Sequence, residues 1–420
     1  MPRASHISGT AISFCYVFPV HPFDLNLRHL RALSAIATRG SMSAAADAVS
    51  LSQPALTQGL AKLERQLGVA LFERRPDGMR ATAEGAMLAE RAGAALGHLA
   101  LGGRGPSRGA RGFARPELLM TATQLRAFLA LADAGSFVGA ADETRLSQPA
   151  LHRAVRDLEQ LCATPLAERR GRGVSLTAAG RRLARGVRLA AAEIAAAMVD
   201  IDPSAGPGGA RIVIGAMPLC RALILPRVLA RFAHEMPGVN VEVVEGSWRE
   251  LVDPLRDGII DLMIGALRDE TPPDLEQAAL MVDQLVVIGR AGHPLAGRPD
   301  VSLAALAEMP WIVGQRGTPL RNHWEAMFTG NDLPVAPIEC GSVMTIRGVL
   351  CDSDFLTLLS PDQVALELDA GILAVIDHRL AGGSRTIGIT TRTGWRPTGA
   401  QSRFVALVGQ AAGETRLSKN

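Results

Sequence analysis

One block of this chain is written twice, and that duplication restricts its architecture more than any other feature. Residues 28–85 and 123–180 align at a constant offset of 95 without a gap, and 26 of the 58 pairs are identical. Shared composition alone would give roughly a tenth identity, so the two segments are copies of one module. Leu51-Ser52-Gln53-Pro54-Ala55-Leu56 returns as Leu146-Ser147-Gln148-Pro149-Ala150-Leu151, and Glu73-Arg74-Arg75 as Glu168-Arg169-Arg170. Two copies are too few for a solenoid, which needs about three or more stacked units to bury a continuous core. Each copy is therefore expected to be a small module of its own.

The remaining length fits more than the repeats. A chain of 420 residues, 48% hydrophobic and 20% charged, predicts about three globular domains. The net charge of +3 is too small to argue about nucleic acid, so the location of the arginines matters instead. The five cysteines (Cys15, Cys162, Cys220, Cys340, Cys351) form no CxxC pair, which suits a reducing cytoplasm, and a redox pairing of Cys340 with Cys351 is disfavoured. The histidines form no HExxH, so neither a metal site nor a cofactor is expected. No apolar run reaches the length of about 20 residues that spans a bilayer. Ala11 to Val20 follows Arg3 and His6 in loose imitation of a signal peptide, but Pro19 and Pro22 break it and no small-residue cleavage site follows. Residues 1–24 are expected to be a disordered extension, or the product of a misassigned start codon.

Composition marks the boundaries. Residues 25–101 hold the first module and a helix after it, 102–120 a Gly/Arg tether containing Arg104, Arg108, Arg111 and Arg115, and 121–202 the second module and its helix. Residues 203–210 read as a hinge, 211–411 as two α/β lobes, and 412–420 as a tail. Within the lobes, Arg211 to Gly215, Val239 to Val244 and Ile259 to Gly265 are strand-like and alternate with helical segments, which predicts a βαβαβ unit with a parallel sheet. Leu285 to Gly289, Trp311 to Val313, Phe355 to Leu359 and Ile387 to Thr391 continue the pattern through a second lobe and back. Two lobes imply a cleft between them.

Inside the first module, Leu27 to Thr38 and Ser43 to Val49 read as helices, and a third begins at Ser52, a good N-cap with Pro54 in its first turn. Leu56, Leu60, Leu63 and Leu67 define one buried face; Ser52, Gln53, Thr57, Gln58 and Lys62 are left for the outside. Two helices joined by a tight turn, the second polar and basic outside, form the helix-turn-helix pattern that enters a major groove. In the second module Leu151, Val155, Leu158 and Cys162 take the buried positions, while Ser147, Gln148, His152, Arg153 and Arg156 face out. A basic hairpin follows each third helix, and Arg74 and Arg75, or Arg169, Arg170 and Arg172, would contact phosphates.

At these residues the chain resembles the LysR-type transcriptional regulators. Each copy carries the pattern Leu30-x-x-Leu33, Gly40-Ser41, Ala45-Ala46, Ser52 to Ala55, Leu63-Glu64, Leu71 to Arg74 and Thr82-x-x-Gly85, or its counterpart 95 residues on. Residues 211–411 resemble the effector-binding domain of that family, including His293-Pro294-Leu295-Ala296 and Ala370-Gly371-Ile372-Leu373. The resemblance implies a multidomain fold, with two α-rich winged helix-turn-helix domains followed by a two-lobed, periplasmic-binding-protein-like α/β domain. It implies a cytoplasmic, non-enzymatic regulator that binds double-stranded operator DNA and a small-molecule effector and forms a homo-oligomer, dimer or tetramer, without membrane contact. It places the effector near Met217, Pro218, Ser247, Arg316, Gly317, Thr318, Met344 and Thr345.

This chain departs from the family in having two winged domains where one is usual, which suggests that the copies pair within a chain through the long helices after Thr82 and Thr177. Ala86, Leu88, Ala89, Ala92, Ala95, Leu96 and Leu99 would supply the first apolar stripe, and Leu183, Val187, Leu189, Ile194 and Met198 the second. Gly59 should weaken the first reading helix by roughly 1 kcal/mol, and Ala167 loses the contact that Phe72 makes. An architectural DNA-binding protein with a filled cleft is the alternative. An exported solute binder would have no use for winged domains, and an enzyme would need a site, yet no GxSxG, Walker loop or GxGxxG is present.

Overall fold

The computed structural model describes residues 22–76, 78–104, 113–171, 173–202, 210–218, 220, 224–380 and 382–417. The first head is built from α1 (Leu27–Arg39), α2 (Met42–Val49), α3 (Gln53–Leu67), the hairpin β1 (Phe72–Arg75) and β2 (Gly78–Ala81), and the long α4 (Ala83–Gly103). The second repeats it as α5 (Ala122–Ala134), α6 (Phe137–Thr144), α7 (Gln148–Cys162), β3 (Ala167–Arg170), β4 (Gly173–Leu176) and α8 (Ala178–Ile201). Local chemistry fixes these boundaries twice over. Ser52 and Ser147 accept the amides of Ala55 and Ala150 with Pro in the first turn, and Gly40 and Gly135 close α1 and α5 at φ 63° and 61°.

The heads do not stand apart. α4 and α8 pack along each other, and the buried residues of both heads form one continuous core running from Phe23 to Ala197. Leu88, Ala89, Ala92, Ala95 and Leu99 meet Leu183, Val187 and Ile194 there, while Ala86 is exposed and Leu96, Leu189 and Met198 are partly buried. Gly102 lies against Arg182, Leu183 and Gly186, whereas Arg91 reaches Glu193 and Asp200, so the two helices run antiparallel. Small residues allow the close crossing: a Cβ on Gly186 would sit 2.6 Å from the His98 carbonyl oxygen.

The segments leading into the heads are ordered, against expectation. Residues 1–21 and 105–112 lie outside the described residues, but Pro22–Asp24 form a 3-10 turn with Phe23 and Leu25 buried. Gly102 and Gly103, read as tether, end α4, and Pro116–Leu118 form another 3-10 turn with Pro116, Glu117 and Met120 buried. Phe23, Leu25, Pro116 and Met120 supply the apolar burial that keeps these entry segments on the protein.

The C-terminal lobes follow. The first holds β5 (Ala210–Ala216), α9 (Ile224–Glu235), β6 (Val239–Glu245), α10 (Trp248–Arg256), β7 (Leu262–Ala266) and β8 (Leu275–Gln284). The second holds β9 (Val286–Arg290), α11 (Leu303–Ala307), β10 (Ile312–Val313), α12 (Pro319–Met327), β11 (Ile338–Glu339), α13 (Val343–Cys351), β12 (Thr357–Leu359), α14 (Ala365–Asp369) and β13 (Leu373–Ile376). The chain then returns through β14 (Ser384–Arg392) and ends in α15 (Gly399–Leu417). The first sheet has the order β6-β5-β7-β14-β8, parallel across β6, β5 and β7 but antiparallel where β14 meets β7 and β8. The second has β12-β9-β13 antiparallel, with β10-β11 as a separate parallel pair.

Two readings of the lobes need correction. β8 gave no strand signal, because Leu275-Glu276-Gln277-Ala278-Ala279-Leu280 is made of helix formers; pairing along nearly all of β14 overrides that propensity at a sheet edge. Residues 412–420 are not simply a tail, since α15 continues to Leu417 and Ala412 is buried in the first lobe's core. Cys340 and Cys351 are free thiols, and burial pushes the Cys162 thiol up to about 11.

Candidate functional site

On α3, Ser52, Gln53, Thr57, Gln58 and Lys62 are all exposed, together with Arg74 and Arg75 on β1. Thr57 returns its hydroxyl to the Gln53 carbonyl, and Arg75 pairs with Glu73 at 3.0 Å in solvent. On α7 and β3, Ser147, Gln148, Arg153, Arg156, Arg169 and Arg170 are exposed; Arg172 lies outside the described residues. His152 departs from its expected place on the outer face. Its ring stacks on Phe137 of α6 at a centroid distance of 3.6 Å, so it joins two helices rather than standing free.

Gly59 also has a packing reason. It is buried with Leu56 and Leu63, while Leu60 and Leu67 are only partly so, and a Cβ there would meet the His29 ring at 2.7 Å. The matching pair in the second head is Ala154 and Gln124, the latter bonded to Asp157. A bulkier residue on α1 is thus matched by a smaller one on α3.

Between the lobes lies a cleft of about 580 Å³. Of the residues expected there, Met217, Pro218, Ser247 and Thr318 line it. Arg316 instead extends into solvent beside Glu339, Gly317 lies against the Arg249 guanidinium, and Met344 and Thr345 are exposed on α13 away from the wall. Three helices point their N-termini inward: Ser247 caps α10 with Glu250, Thr318 caps α12 and Ser342 caps α13. Their free amides make the wall attractive to negative charge.

Two arginines that sequence reasoning missed complete it. Arg385 on β14 donates Nε to Asp283 at 2.8 Å, and Ser360 donates to the other carboxylate oxygen at 2.5 Å. The Nη2 of Arg385 is buried with no partner, as is the Nε of Arg268, whose guanidinium lies 5.4 Å over the Trp248 ring. Burial and the neighbouring Arg249 hold the Arg268 pKa below its ordinary value. Of the three acids on the wall, Glu250 is engaged at the Ser247 cap and Glu339 with Arg321 at 3.2 Å, and Glu245 stands at the end of β6. Neither arginine sits in a motif, and only the fold brings positions 268 and 385 together.

Burial also holds the imidazoles of His29, His98, His293 and His323 below their ordinary 6.5. The folded pKa of each is lower than the unfolded one, so its contribution is complete above pH 6.5 and is lost as the pH falls through the folded value. Asp133, Glu143, Glu193 and Asp261 are raised by burial and act oppositely, contributing at low pH and losing that contribution as the pH rises. His98→Gln is expected to flatten the fall of the thermal midpoint as the pH drops below the ordinary 6.5. An unchanged profile would assign the titration elsewhere.

Known proteins resemble most of the chain. The profile of the "Bacterial regulatory helix-turn-helix protein, lysR family" matches residues 27–86 and again 122–181, and that of the "LysR substrate binding domain" matches residues 205–413. The HTH-type transcriptional regulator GalR of Pseudomonas putida is 33% identical over 93% of this chain and 98% of its own length, which is too much to leave out either head. PcaQ of Agrobacterium fabrum, another transcriptional regulator, is 28% identical and covers 69% of this chain and 94% of itself. Among solved structures, ArgP from Mycobacterium tuberculosis has a TM-score of 0.58 at 18% identity, covering 69% of this chain and 96% of that one. A full-length OxyR variant from Pseudomonas aeruginosa has 0.53 at 21%, covering 70% and 94%. Both share the fold and leave nearly a third of this chain unmatched.

Proposed function

The chain belongs to the LysR family of bacterial transcriptional regulators, and on that premise we propose that its interlobe cleft receives a small organic anion. It is a ligand-responsive DNA-binding regulator with winged helix-turn-helix domains, and its partners are operator DNA, an effector and further copies of itself. No helix among the described residues is long and apolar enough to cross a membrane. We take it to act in the cytoplasm, where DNA is, and to do no chemistry of its own.

The observation that carries the ligand class is the pair of orphaned arginine nitrogens, on Arg268 and Arg385, at a cleft lined by three helix N-termini. An unpaired buried donor is costly, and an anion held by the two guanidinium groups that line the cleft would offset part of that cost. Pro218, Met217 and Trp248 supply an apolar wall for the rest of the molecule. The cleft's volume speaks against a purely architectural protein with a filled site.

Binding here has a material route to the heads. α10 starts at the cleft with Ser247 and ends beside Asp257, whose carboxylate holds Arg185 at 2.5 Å and Arg188 at 3.7 Å on α8. Arg188 also pairs with Asp133 on α5 of the second head. Closure of the lobes that shifts α10 would pull on α8 through these charges.

A thermal-shift panel of small carboxylates, phosphates and neutral sugars tests the reading. Anions are expected to raise the midpoint, and Arg268→Gln is expected to weaken the response about tenfold or more. A response to neutral sugars alone would remove the anion assignment. Because Arg385 also supports Asp283, Arg268 is the cleaner position.

A further inference from the structure

We propose that one chain is by itself a complete DNA-reading unit, matched to an operator whose two half-sites differ in sequence. The inference rests on the DNA-binding reading above, and it begins with the contact between α4 and α8. The offset of 95 makes Arg91 the counterpart of Gly186, and His98 the counterpart of Glu193. In an antiparallel pair, Arg91 against Glu193 and Gly186 against His98 are therefore the same crossing seen from each side. The sequence has made them different. One is an ion pair at 3.3 Å with both side chains nearly buried, extended by Asp200 at 2.8 Å; the other is a glycine pressed on the His98 carbonyl.

That difference selects the partner. If α4 paired with α4 of a second copy, both crossings would set Arg91 against His98, and neither would supply a carboxylate. If α8 paired with α8, both would set Glu193 against Gly186, with nothing in the place of Arg91. Only α4 with α8 satisfies the charge and the close approach together, as expected of an interface specified against its homotypic alternatives.

The entry segments strengthen the pairing reciprocally. The 3-10 turn before the first head packs on α5 and α8 of the second, and Asp24 pairs with Arg126 at 3.5 Å. The turn before the second head packs on α4, Arg31 donates to the Leu118 carbonyl at 3.0 Å, and Met120 abuts Gly103. Arg31 and Arg126 are counterparts in the repeat, as are Leu25 and Met120, so each head is latched by the segment that introduces the other.

The heads so fixed do not read alike. Both third helices begin Ser-Gln-Pro-Ala, but Gln58 faces Arg153 in the alignment, Ala61 faces Arg156, and Lys62 faces Asp157. Gln58, Ala61, Arg153 and Arg156 are exposed. Glutamine and arginine present different donor and acceptor patterns to base edges, so half-sites that share the positions read by Gln53 and Gln148 must diverge beyond them.

Selection of bound duplexes from a random pool by the full chain should yield two unlike half-sites in fixed order. A defined duplex with unlike halves is expected to bind at least about tenfold more tightly than palindromes built from either half, since a single wrong base pair commonly costs about that much. Gln58→Arg with Ala61→Arg, at exposed positions that leave the fold intact, should move the preference toward the palindrome of the second head's half-site. A palindromic consensus from the parent chain, or one confined to a single half-site, overturns the proposal and leaves the regulator reading standing. A pool that enriches no sequence overturns both.

Discussion

Arg91→Ala is expected to lower the unfolding free energy by about 3–5 kcal/mol, the usual consequence of removing one partner from a buried ion pair. Arg91 is 7% exposed in its side chain and binds Glu193, Asp200 and the Arg396 carbonyl, so its loss leaves two carboxylates and a carbonyl short of a donor. The Glu193 carboxyl is already raised by burial, with Arg91 the first charge opposing that. Without Arg91 its folded pKa rises further above the ordinary 4.5. A group whose folded pKa lies above its unfolded one contributes fully below the unfolded value and loses that contribution as the pH rises. The deficit of Arg91→Ala should therefore shrink on acidification, while the histidines, common to both proteins, cancel in the difference. Urea unfolding of the parent and variant at two pH values measures this. A loss below about 1 kcal/mol would place the pair among those that contribute little. Replacing Arg91 and Glu193 together by Met and Leu should recover part of the loss, because the more deeply buried carboxylate is then no longer left alone, while Asp200 keeps only the Gly399 amide.

How far the fold could be read ahead of the structure depended on whether a feature was local. Caps, turn glycines and helical periodicity are written in neighbouring residues, so Ser52, Pro54, Thr82 and their counterparts located the heads nearly to the residue. The apolar stripes of α4 and α8 were legible for the same reason, but that Arg91 would meet Glu193 was not, because neither position carries a periodic or motif signal. β8 was illegible since its residues favour a helix and only its pairing with β14 makes it a strand. In the cleft, helix-cap residues such as Ser247 and Thr318 could be named in advance, whereas Arg268 and Arg385 join them only when β14 returns from the second lobe to the first. The residues expected at 316, 317, 344 and 345 stand beside residues that do line the cleft, Gln315 and Thr318 in the one case and Val343 and Ile346 of α13 in the other. Cap chemistry finds a helix end without saying which of its residues faces inward. His152 shows the converse: a position on the outer face by spacing can be taken by a neighbouring ring.

Gly85→Ala and Gly180→Ala should each disable one head, and together they test whether both heads read. Each glycine is the last residue of a Thr-x-x-Gly cap, its amide bound to the Thr82 or Thr177 hydroxyl at 3.0 Å. A Cβ on either would come far closer than 3.0 Å to the carbonyl oxygen of Leu71 or Leu166. Those carbonyls cannot retreat freely, because each accepts the threonine amide at 3.0 Å and holds the wing strand against the long helix. Overpacking of this kind commonly costs about 1–3 kcal/mol, and backbone against Cβ is its least forgiving form. The strain falls first on the wing and the end of the reading helix; the α4–α8 contact begins in the next turn, at Leu88 and at Arg182 and Leu183, so the α4–α8 pairing has to be checked in each variant by its unfolding midpoint. Where two linked heads engage one site together, disabling either forfeits an effective-concentration gain of about 10²–10⁴-fold in operator affinity. Comparable losses from both variants in a titration at fixed salt are the expected result. If Gly85→Ala stays within about threefold of the parent while Gly180→Ala loses the full factor, the first head does not contact DNA, and an operator with two unlike half-sites has no second reader.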